Sequence, residues 1–179
     1  MAHLRLLFER YLWRVATMLG VFIFFILATR FLVVDVGQVD GQSMEPTFID
    51  NQLFVVNRLG YLYRRPARHD IVQVVVPGSD KVMLKRVVGL PGETIIIKRG
   101  KVFVQAPDMG QERQIIEPYL PTVVYTKIVN QAGPRKFRLF PGQYFVLGDN
   151  REHSTDSRDF GPVSREYIVG QAMWWRQGS

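Results

Sequence analysis

The feature that most constrains this chain is an apolar run of 20 residues near its N-terminus, from Val15 to Val34. Its interruptions are Thr17, Gly20, Thr29 and Arg30. A helix needs roughly 20 residues to cross the hydrocarbon core of a bilayer, and a long arginine side chain near the end of a span can reach the interface. The sequence therefore predicts one transmembrane helix over residues 15–34. A cleavable signal peptide and a buried helix of a soluble protein are the alternatives.

Charges on the two sides of the run predict its orientation. Three arginines precede it (Arg5, Arg10 and Arg14), and Asp35 and Asp40 follow it. Because basic residues are enriched on the cytoplasmic side of a span, we expect residues 1–14 to be a cytoplasmic segment. Residues 35–179 are then an extracytoplasmic domain at the cell membrane. No A-x-A-like processing site follows the run, which favours a retained anchor over a cleaved signal peptide.

Composition limits the functions open to the rest of the chain. The 179 residues include no cysteine, so disulfides, thiolate catalysis and cysteine-bound zinc are excluded. The formal net charge of +7 suits an anionic surface, but the 23 Lys and Arg residues are scattered and accompany no DNA- or RNA-binding signature. We therefore expect no nucleic-acid partner.

Short β-type segments fill the chain after residue 50. They are rich in branched and aromatic residues, and glycine or proline punctuates most gaps between them. The predicted strands are Leu53–Val56, Ile71–Val76, Val82–Val88, Thr94–Ile97, Val102–Gln105, Val123–Val129, Tyr144–Leu147 and Ile168–Trp174. Gly100 predicts a hairpin turn, and residues 106–122 read as a surface excursion. The sequence therefore predicts a mainly β domain.

One serine is placed on an irregular turn nine residues after the apolar run, in the stretch Gly41-Gln42-Ser43-Met44-Glu45-Pro46-Thr47. Glycine permits a tight turn, and proline biases the residue before it toward extended geometry, so Ser43 is expected on an exposed elbow. Most such serines are ordinary turn residues. A nucleophilic role requires a base within about 3 Å.

Two kinds of base are available. His69 and His153 are candidates, but no G-x-S-x-G elbow or familiar Ser-His-Asp order accompanies them. Lys85 lies in the predicted strand Val82–Val88, where alternation flanks it with apolar side chains. Burial can lower an amine pKa by the roughly 3 units that a neutral base near pH 7 requires. A strand lysine with its amine in water is the alternative interpretation.

A third polar stretch runs from Gly148 to Arg158, directly after an apolar strand. Such a stretch is often a hydrogen-bonded turn. Its residue types also suit a supporting shell, with a hydroxyl to orient an amine and carboxylates to pair with arginines. Its acidic residues lack the calcium-loop pattern, so we expect neither a metal nor another cofactor.

These three stretches, in this order behind an N-terminal span, resemble the motifs of bacterial type I signal peptidases, membrane-anchored serine proteases that use a Ser/Lys pair. Residues 41–48 resemble the nucleophile motif, residues 85–93 (KRVVGLPGE) the lysine motif and residues 148–158 (GDNREHSTDSR) the third motif. The resemblance covers nearly the whole chain. It implies a body of coiled β-sheets with a small β-ribbon insertion, placed here at 99–135.

The resemblance also implies roles for particular residues. Ser43 would be the nucleophile, with its backbone N–H meeting the oxyanion, and Lys85 the general base oriented by the Ser154 hydroxyl. Position 41, where some relatives carry a serine as a second oxyanion donor, is glycine here. Supporting ion pairs would join Arg86 to Asp149 and Arg158 to Asp156, and the residues expected to wall the substrate pockets are Val39, Met44, Phe48 and Leu84.

The implied substrates are exported preproteins, cut after an A-x-A-like pair of small residues as they leave the translocase. Membrane lipid is a further expected partner, contacted by aromatic side chains such as Phe48, Tyr61, Trp174 and Trp175. Two other functions stay open from the residues alone. One is a self-cleaving repressor with the same Ser/Lys pair, and the other is a membrane-tethered β domain that only binds or scaffolds.

Overall fold

The computed structural model describes residues 2–32, 34–107, 110–121, 124–126 and 135–174. The chain begins with helix α1, Ala2–Leu32, and residues 8–28 of this helix are apolar enough to cross a membrane, with a mean hydropathy of 1.9 and no burial against the rest of the protein. The helix starts well before residue 15, and Val34, the end of the apolar run, already belongs to the first strand.

The described elements after α1 are short and mostly strands. They are β1 Val34–Gln38, β2 Leu53–Asn57, α2 Gly60–Tyr63, β3 Ile71–Val75, β4 Val82–Gly89, β5 Thr94–Lys98, β6 Lys101–Gln105, β7 Arg113–Gln114, β8 Arg135–Arg138, β9 Gln143–Leu147, α3 Ser157–Phe160, β10 Val163–Ser164, a 3₁₀ turn Arg165–Tyr167 and β11 Ile168–Trp174.

These strands form two antiparallel sheets. The larger has seven strands in the order β1-β2-β11-β3-β4-β9-β10, and the smaller has four in the order β7-β6-β5-β8. Bulges in the β4–β9 and β11–β3 pairings bend the large sheet, since an extra residue on one strand increases its local twist. The predicted mainly β fold, with a coiled sheet body and one apolar helix before it, is confirmed.

The small sheet is built on a hairpin of β5 and β6. Arg99 and Gly100 turn the chain with positive φ angles of 51° and 73°, which explains the glycine in the turn. The sheet begins at Thr94, ahead of the predicted insertion at 99–135. Residues 108, 109, 122, 123 and 127–134 of that insertion lie outside the described residues. Within the predicted strand Val123–Val129, the described residues 124–126 are not in a strand.

Four strands were absent from the sequence interpretation: the two-residue strands β7 and β10, and also β1 and β8. β1 follows α1 after a single residue and pairs with β2, Val34 opposite Asn57 and Gln38 opposite Leu53. Its sequence VDVGQ alternates weakly and adjoins the apolar run, which masked it. β8 reads RKFR and is strongly charged, but its edge position in the small sheet leaves Lys136 and Arg138 exposed to water.

Gly89 lies where the two sheets meet. It ends β4 at the bulge opposite Phe145, next to the cluster of buried side chains that joins β5, β6 and β9. A Cβ at this position would stand 2.7 Å from Ile95 Cγ1 and Leu139 Cδ1 and 2.8 Å from Phe145 Cβ. All three neighbours are fully or almost fully buried, so they have little room to move.

We therefore expect Gly89→Ala to destabilise the protein by about 1–3 kcal/mol through overpacking. Denaturant unfolding in detergent measures this change. Gly110→Ala is the matched control, because a Cβ there meets nothing within 4 Å, and its effect should stay within about 0.5 kcal/mol. Equal stability of the two variants would contradict close packing at the junction of the sheets.

Candidate active site

Ser43 lies on the turn that connects β1 to β2. The turn is held by backbone bonds from Glu45 N to Gln42 O (3.1 Å) and from Phe48 N to Met44 O (3.0 Å). The side chains of Met44 and Phe48 are buried in an apolar cluster beneath the turn. Because the buried side chains of Met44 and Phe48 anchor the turn directly after Ser43, the position of the serine is well defined.

Lys85 reaches this serine from β4. Its Nζ lies 2.8 Å from Ser43 Oγ, and the lysine is only 1% exposed. Burial is the largest cause that lowers the pKa of the Lys85 amine, from 10.5 to about 8. Asp156 and Asp149 act in the opposite sense and Arg158 acts with burial. The amine is therefore partly uncharged close to neutral pH.

Arg86, the next residue on β4, carries the first of the expected ion pairs. Its Nε lies 2.8 Å from Asp149 Oδ1 and one terminal nitrogen lies 2.5 Å from Asp149 Oδ2, a two-point contact that is almost fully buried. The hydroxyl of Thr47 donates to the same carboxylate over 2.5 Å. This pair therefore ties the serine turn, β4 and the Gly148–Arg158 loop together.

The second expected pair lies within that loop. Arg158 binds Asp156 through two contacts of 2.8 Å, and also donates to the carbonyls of Arg151 (2.7 Å) and Ser154 (3.2 Å). Asp156 also accepts from Gly148 N over 3.0 Å and caps α3 through the N–H of Arg158. The buried carboxylate thus closes the loop upon itself.

Ser154 lies near Ser43 and Lys85, but its hydroxyl makes no hydrogen bond to either of them. Its hydroxyl is buried and has no hydrogen-bond partner among the described residues, so the expected bond to the lysine amine is not formed in this arrangement. A Cβ on Gly148 would collide with Ser154 Oγ and lie 2.5 Å from Ser43 O. Asn150 N donates to that same Ser43 carbonyl over 3.1 Å. The glycine therefore lets the loop approach the serine closely.

A cleft of about 600 Å³ opens beside Ser43 and Lys85. β1 and the turn after it form one wall, and the first half of β4 forms another. Three of the four predicted pocket residues, Val39, Met44 and Leu84, line it, together with Phe54, which was not predicted. The fourth, Phe48, does not line the cleft and is fully buried in the cluster behind these residues.

Neither histidine candidate makes a hydrogen bond to Ser43. His69 is partly buried, and burial together with Arg68 and Arg86 lowers its pKa. His153 stands at the rim of the cleft with Nδ1 3.3 Å from Asn150 Oδ1. In the described part of the chain, no group of three or more His, Asp or Glu side chains is arranged to hold a metal ion.

The irregular residues 115–121 and 124–126, which lie between β7 and β8 and are called here the small-sheet segment, make contacts with the site that sequence reasoning missed. Arg151 is buried and binds Glu117, and Tyr119 lies flat against Arg86, 3.8 Å from its guanidinium carbon to the ring centre. Arg151 belongs to the third motif, but no role was predicted for it. Its partner lies 34 residues away in an irregular stretch, and no local pattern connects the two.

Comparison with known proteins identifies the family of this chain. The family described as "Signal peptidase, peptidase S26" matches residues 12–175. A mainly β body with an apolar helix before it, and a serine beside a buried lysine at the wall of a cleft, together with this match define a serine peptidase. The chain belongs to the signal peptidase family, peptidase S26, enzymes that remove signal peptides from preproteins.

Similar proteins from bacteria are named signal peptidase I. The chain is 36% identical over 143 residues to signal peptidase I V of Bacillus subtilis (strain 168), which covers 74% of this chain and 80% of that protein. It is 31% identical over 163 residues to signal peptidase I of Leptolyngbya laminosa, with coverage of 87% and 74%. A crystal structure of a signal peptidase I from Enterococcus faecalis V583 aligns with a TM-score of 0.48 and 29% identity, over 60% of this chain and 97% of that one.

The buried amine predicts an unusual pH dependence of stability. The pKa of Lys85 is about 8 in the folded protein and 10.5 in an exposed lysine. Below pH 8 the amine is therefore charged in both the folded and the unfolded state, and folding must bury that charge. This costs on the order of 3 kcal/mol, and the cost disappears as the pH rises from 8 toward 10.5. We therefore expect Lys85→Met to stabilise the protein at pH 6–7 and to have little effect near pH 10.5.

Denaturant unfolding of both proteins in detergent, at several pH values, measures the difference. Lys81→Met is the control, because Lys81, the residue before β4, is exposed and its replacement should have a small effect at every pH. A stability difference for Lys85→Met that is independent of pH would contradict a depressed amine pKa.

Proposed function

We propose that this protein removes signal peptides with Ser43 as the nucleophile and Lys85 as the general base, cutting after an A-x-A-like pair of small residues. The observation that carries the proposal is the 2.8 Å contact between Ser43 Oγ and the amine of a lysine that is 1% exposed. A serine hydroxyl is a weak nucleophile until a nearby base accepts its proton, and an amine with a lowered pKa is such a base.

The reaction proceeds in two halves. The neutral Lys85 amine takes the hydroxyl proton while Ser43 Oγ attacks the scissile carbonyl carbon, and the resulting ammonium passes that proton to the leaving amine of the mature protein. This leaves the signal peptide as an ester on Ser43. Lys85 then removes a proton from water, which attacks the ester carbonyl and releases the signal peptide, and the proton returns to Ser43.

Oxyanion stabilisation falls to the backbone of the serine turn. The N–H of Ser43 makes no hydrogen bond to another described residue and is open to a developing negative charge. The N–H of Gly41 is taken, since it donates to Asp50 Oδ1 over 2.8 Å. With no side chain at position 41, we assign a single donor to this chain, and removing such a donor typically costs about 3 kcal/mol in the transition state.

Ser154 is proposed to orient the lysine amine. Its hydroxyl is buried beside the pair and lacks a partner among the described residues, an arrangement that costs free energy unless the hydroxyl is used. A hydrogen bond with the Lys85 amine would satisfy it. The Arg86–Asp149 and Arg158–Asp156 pairs then act as supports, since they hold the segments on both sides of the amine.

The preference for small residues follows from the walls of the cleft. Val39, Met44 and Leu84 are buried or nearly so, and Phe48 closes the space behind them, so the pockets beside Ser43 are shallow. An extended substrate between β1 and β4 would place alternate side chains against this apolar wall. Small side chains fit such pockets without displacing the core.

We further propose that α1 crosses the cell membrane once, with the N-terminus in the cytoplasm and the catalytic domain on the outer side, where preproteins leave the translocase. Lipid contact should involve residues other than the four aromatic residues predicted from the sequence. Phe48 and Tyr61 are buried in the protein, the side chain of Trp174 is not described and Trp175 lies outside the described residues. None of these four aromatic side chains is seen exposed on the surface of the described structure.

Leu62 and Tyr63 are better placed for lipid contact. They are 70% and 89% exposed and are followed by the exposed Arg64 and Arg65. β1 begins two residues after α1 ends, and its first residue pairs with the last residue of β2, so this segment follows at the anchored end of the sheet. Exposed apolar and basic side chains together suit an anionic membrane surface.

The pH dependence of cleavage tests the proposed base. Below pH 8 the rate should rise about tenfold per pH unit, because only the neutral fraction of Lys85 is active, and it should level off above pH 8. Cleavage of a preprotein with an A-x-A site by detergent-solubilised protein provides the measurement. Ser43→Ala and Lys85→Ala should each abolish cutting, and a chelator should leave the rate unchanged. An uncut preprotein with the unmodified chain would favour a scaffold function instead.

Site-specific labelling tests the lipid contact, because the chain has no cysteine of its own. A Tyr63→Cys variant carrying an environment-sensitive fluorophore should show a blue-shifted emission and quenching by spin-labelled lipids in vesicles with anionic headgroups. Phe140→Cys is the control: Phe140 is 59% exposed but lies before β9, at the end of the sheet away from the anchor. Equal quenching at both positions would contradict the proposal.

A further inference from the structure

A buried guanidinium outside the Ser43–Lys85 pair links the third motif to the small-sheet segment. Arg151 is 2% exposed, and it binds both carboxylate oxygens of Glu117, one of them over 3.1 Å. It also donates to Thr126 Oγ1 over 2.8 Å and to Gly148 O over 3.0 Å. A buried charge of this kind needs a paired opposite charge, and among the described residues Glu117 is the carboxylate it binds.

The same carboxylate reaches a second arginine through Tyr119. The phenolic hydroxyl of Tyr119 donates to Glu117 Oε1 over 2.7 Å, and its ring lies against Arg86 at 3.8 Å. A cation over an aromatic face is attracted by the electron density of the ring. Glu117 therefore orders a stacking partner for one buried arginine and neutralises another.

Both arginines adjoin groups that touch the proposed catalytic pair. Arg151 follows Asn150, whose N–H donates to the carbonyl of Ser43 over 3.1 Å. Arg86 follows Lys85 on β4 and binds Asp149. The contacts from Glu117 thus run to the backbone of the nucleophile on one side and to the strand of the base on the other.

We infer that Glu117 is a positioning residue for catalysis, which holds the Ser43 turn and the Lys85 strand in register through Arg151 and through Tyr119 on Arg86. This inference rests on the proposed function of Ser43 and Lys85. The small-sheet segment then serves the site directly, because it supplies the carboxylate that pairs with Arg151.

A positioning role and a substrate-binding role predict different effects on the kinetics of cleavage. None of the described residues at 115–121 and 124–126 lines the cleft, so a change at Glu117 should leave substrate affinity nearly intact. Displacement of the serine and the amine relative to each other should instead slow the chemical step, since rates depend steeply on the geometry of reacting groups.

Glu117→Gln tests this, because it keeps the shape of the side chain and removes the charge. With the full chain in detergent and a peptide substrate bearing an A-x-A site, kcat should fall roughly 10- to 100-fold and KM should change by less than about threefold. Glu112→Gln is the matched control. Glu112 lies in the same stretch but pairs with Lys98 and Lys136 on the small sheet, so its kcat should stay within about twofold of the unmodified enzyme.

A double-variant cycle gives a second readout. If Glu117 acts through Arg151, the variant Glu117→Gln with Arg151→Gln should be no slower than the slower single variant, whereas independent effects would multiply. Tyr119→Phe removes only the hydroxyl bond to Glu117 and should lower kcat in the same sense by a smaller factor. This variant also serves if Glu117→Gln does not fold.

Two results would overturn the inference. One is a kcat within twofold of the unmodified enzyme for Glu117→Gln and Tyr119→Phe. The other is a fall in kcat that only matches a loss of folded protein, measured by circular dichroism at the assay temperature. Failure of the proposed function is distinguished by Ser43→Ala, since cleavage by that variant would show that the pair is not catalytic whatever Glu117 does.

Discussion

The arrangement of the whole β body depends on keeping one amine out of water. A lysine in solution is charged near neutral pH, and desolvation is the largest cause that weakens this preference for Lys85. Desolvation requires a closed surface on every side of the amine except the one that faces the serine. The large sheet, the Ser43 turn and the loop of the third motif supply that surface, and each is attached to the others by buried polar contacts rather than by apolar packing alone.

Those contacts concentrate charge around an amine whose proposed role as a base requires its neutral form. Asp149 and Asp156 would both favour the charged amine, but each is engaged by an arginine through two bonds, and Arg158 opposes them at the amine. Buried ion pairs contribute little to stability and are strongly destabilising when one partner is removed. Their value here is geometric, because a carboxylate with both oxygens engaged fixes the direction of the backbone that carries it.

Much of this was accessible from the sequence, for identifiable reasons. The apolar helix and most strands follow from long apolar runs and from glycine and proline at the turns. Ser43, Lys85 and the two ion pairs lie in contiguous motifs, and the structure brings these residues together. What the sequence could not provide depends on contacts between distant segments: β1 merges with the end of the helix in any hydropathy pattern, Phe48 turns into the core instead of the cleft, and Glu117 meets Arg151 only after the small sheet has folded back onto the site.

The connection between α1 and β1 has a mechanical consequence. One residue separates the end of the helix from a strand that pairs along its whole length with β2, and the serine follows that strand after a short turn. The proposed anchor and the proposed nucleophile are therefore separated by one residue, the strand β1 and the first residues of the turn after it. In the membrane arrangement proposed above, a thinner bilayer that tilts α1 would also shift β1 and the serine after it, so membrane thickness would help to set which peptide bond of an emerging chain comes within reach.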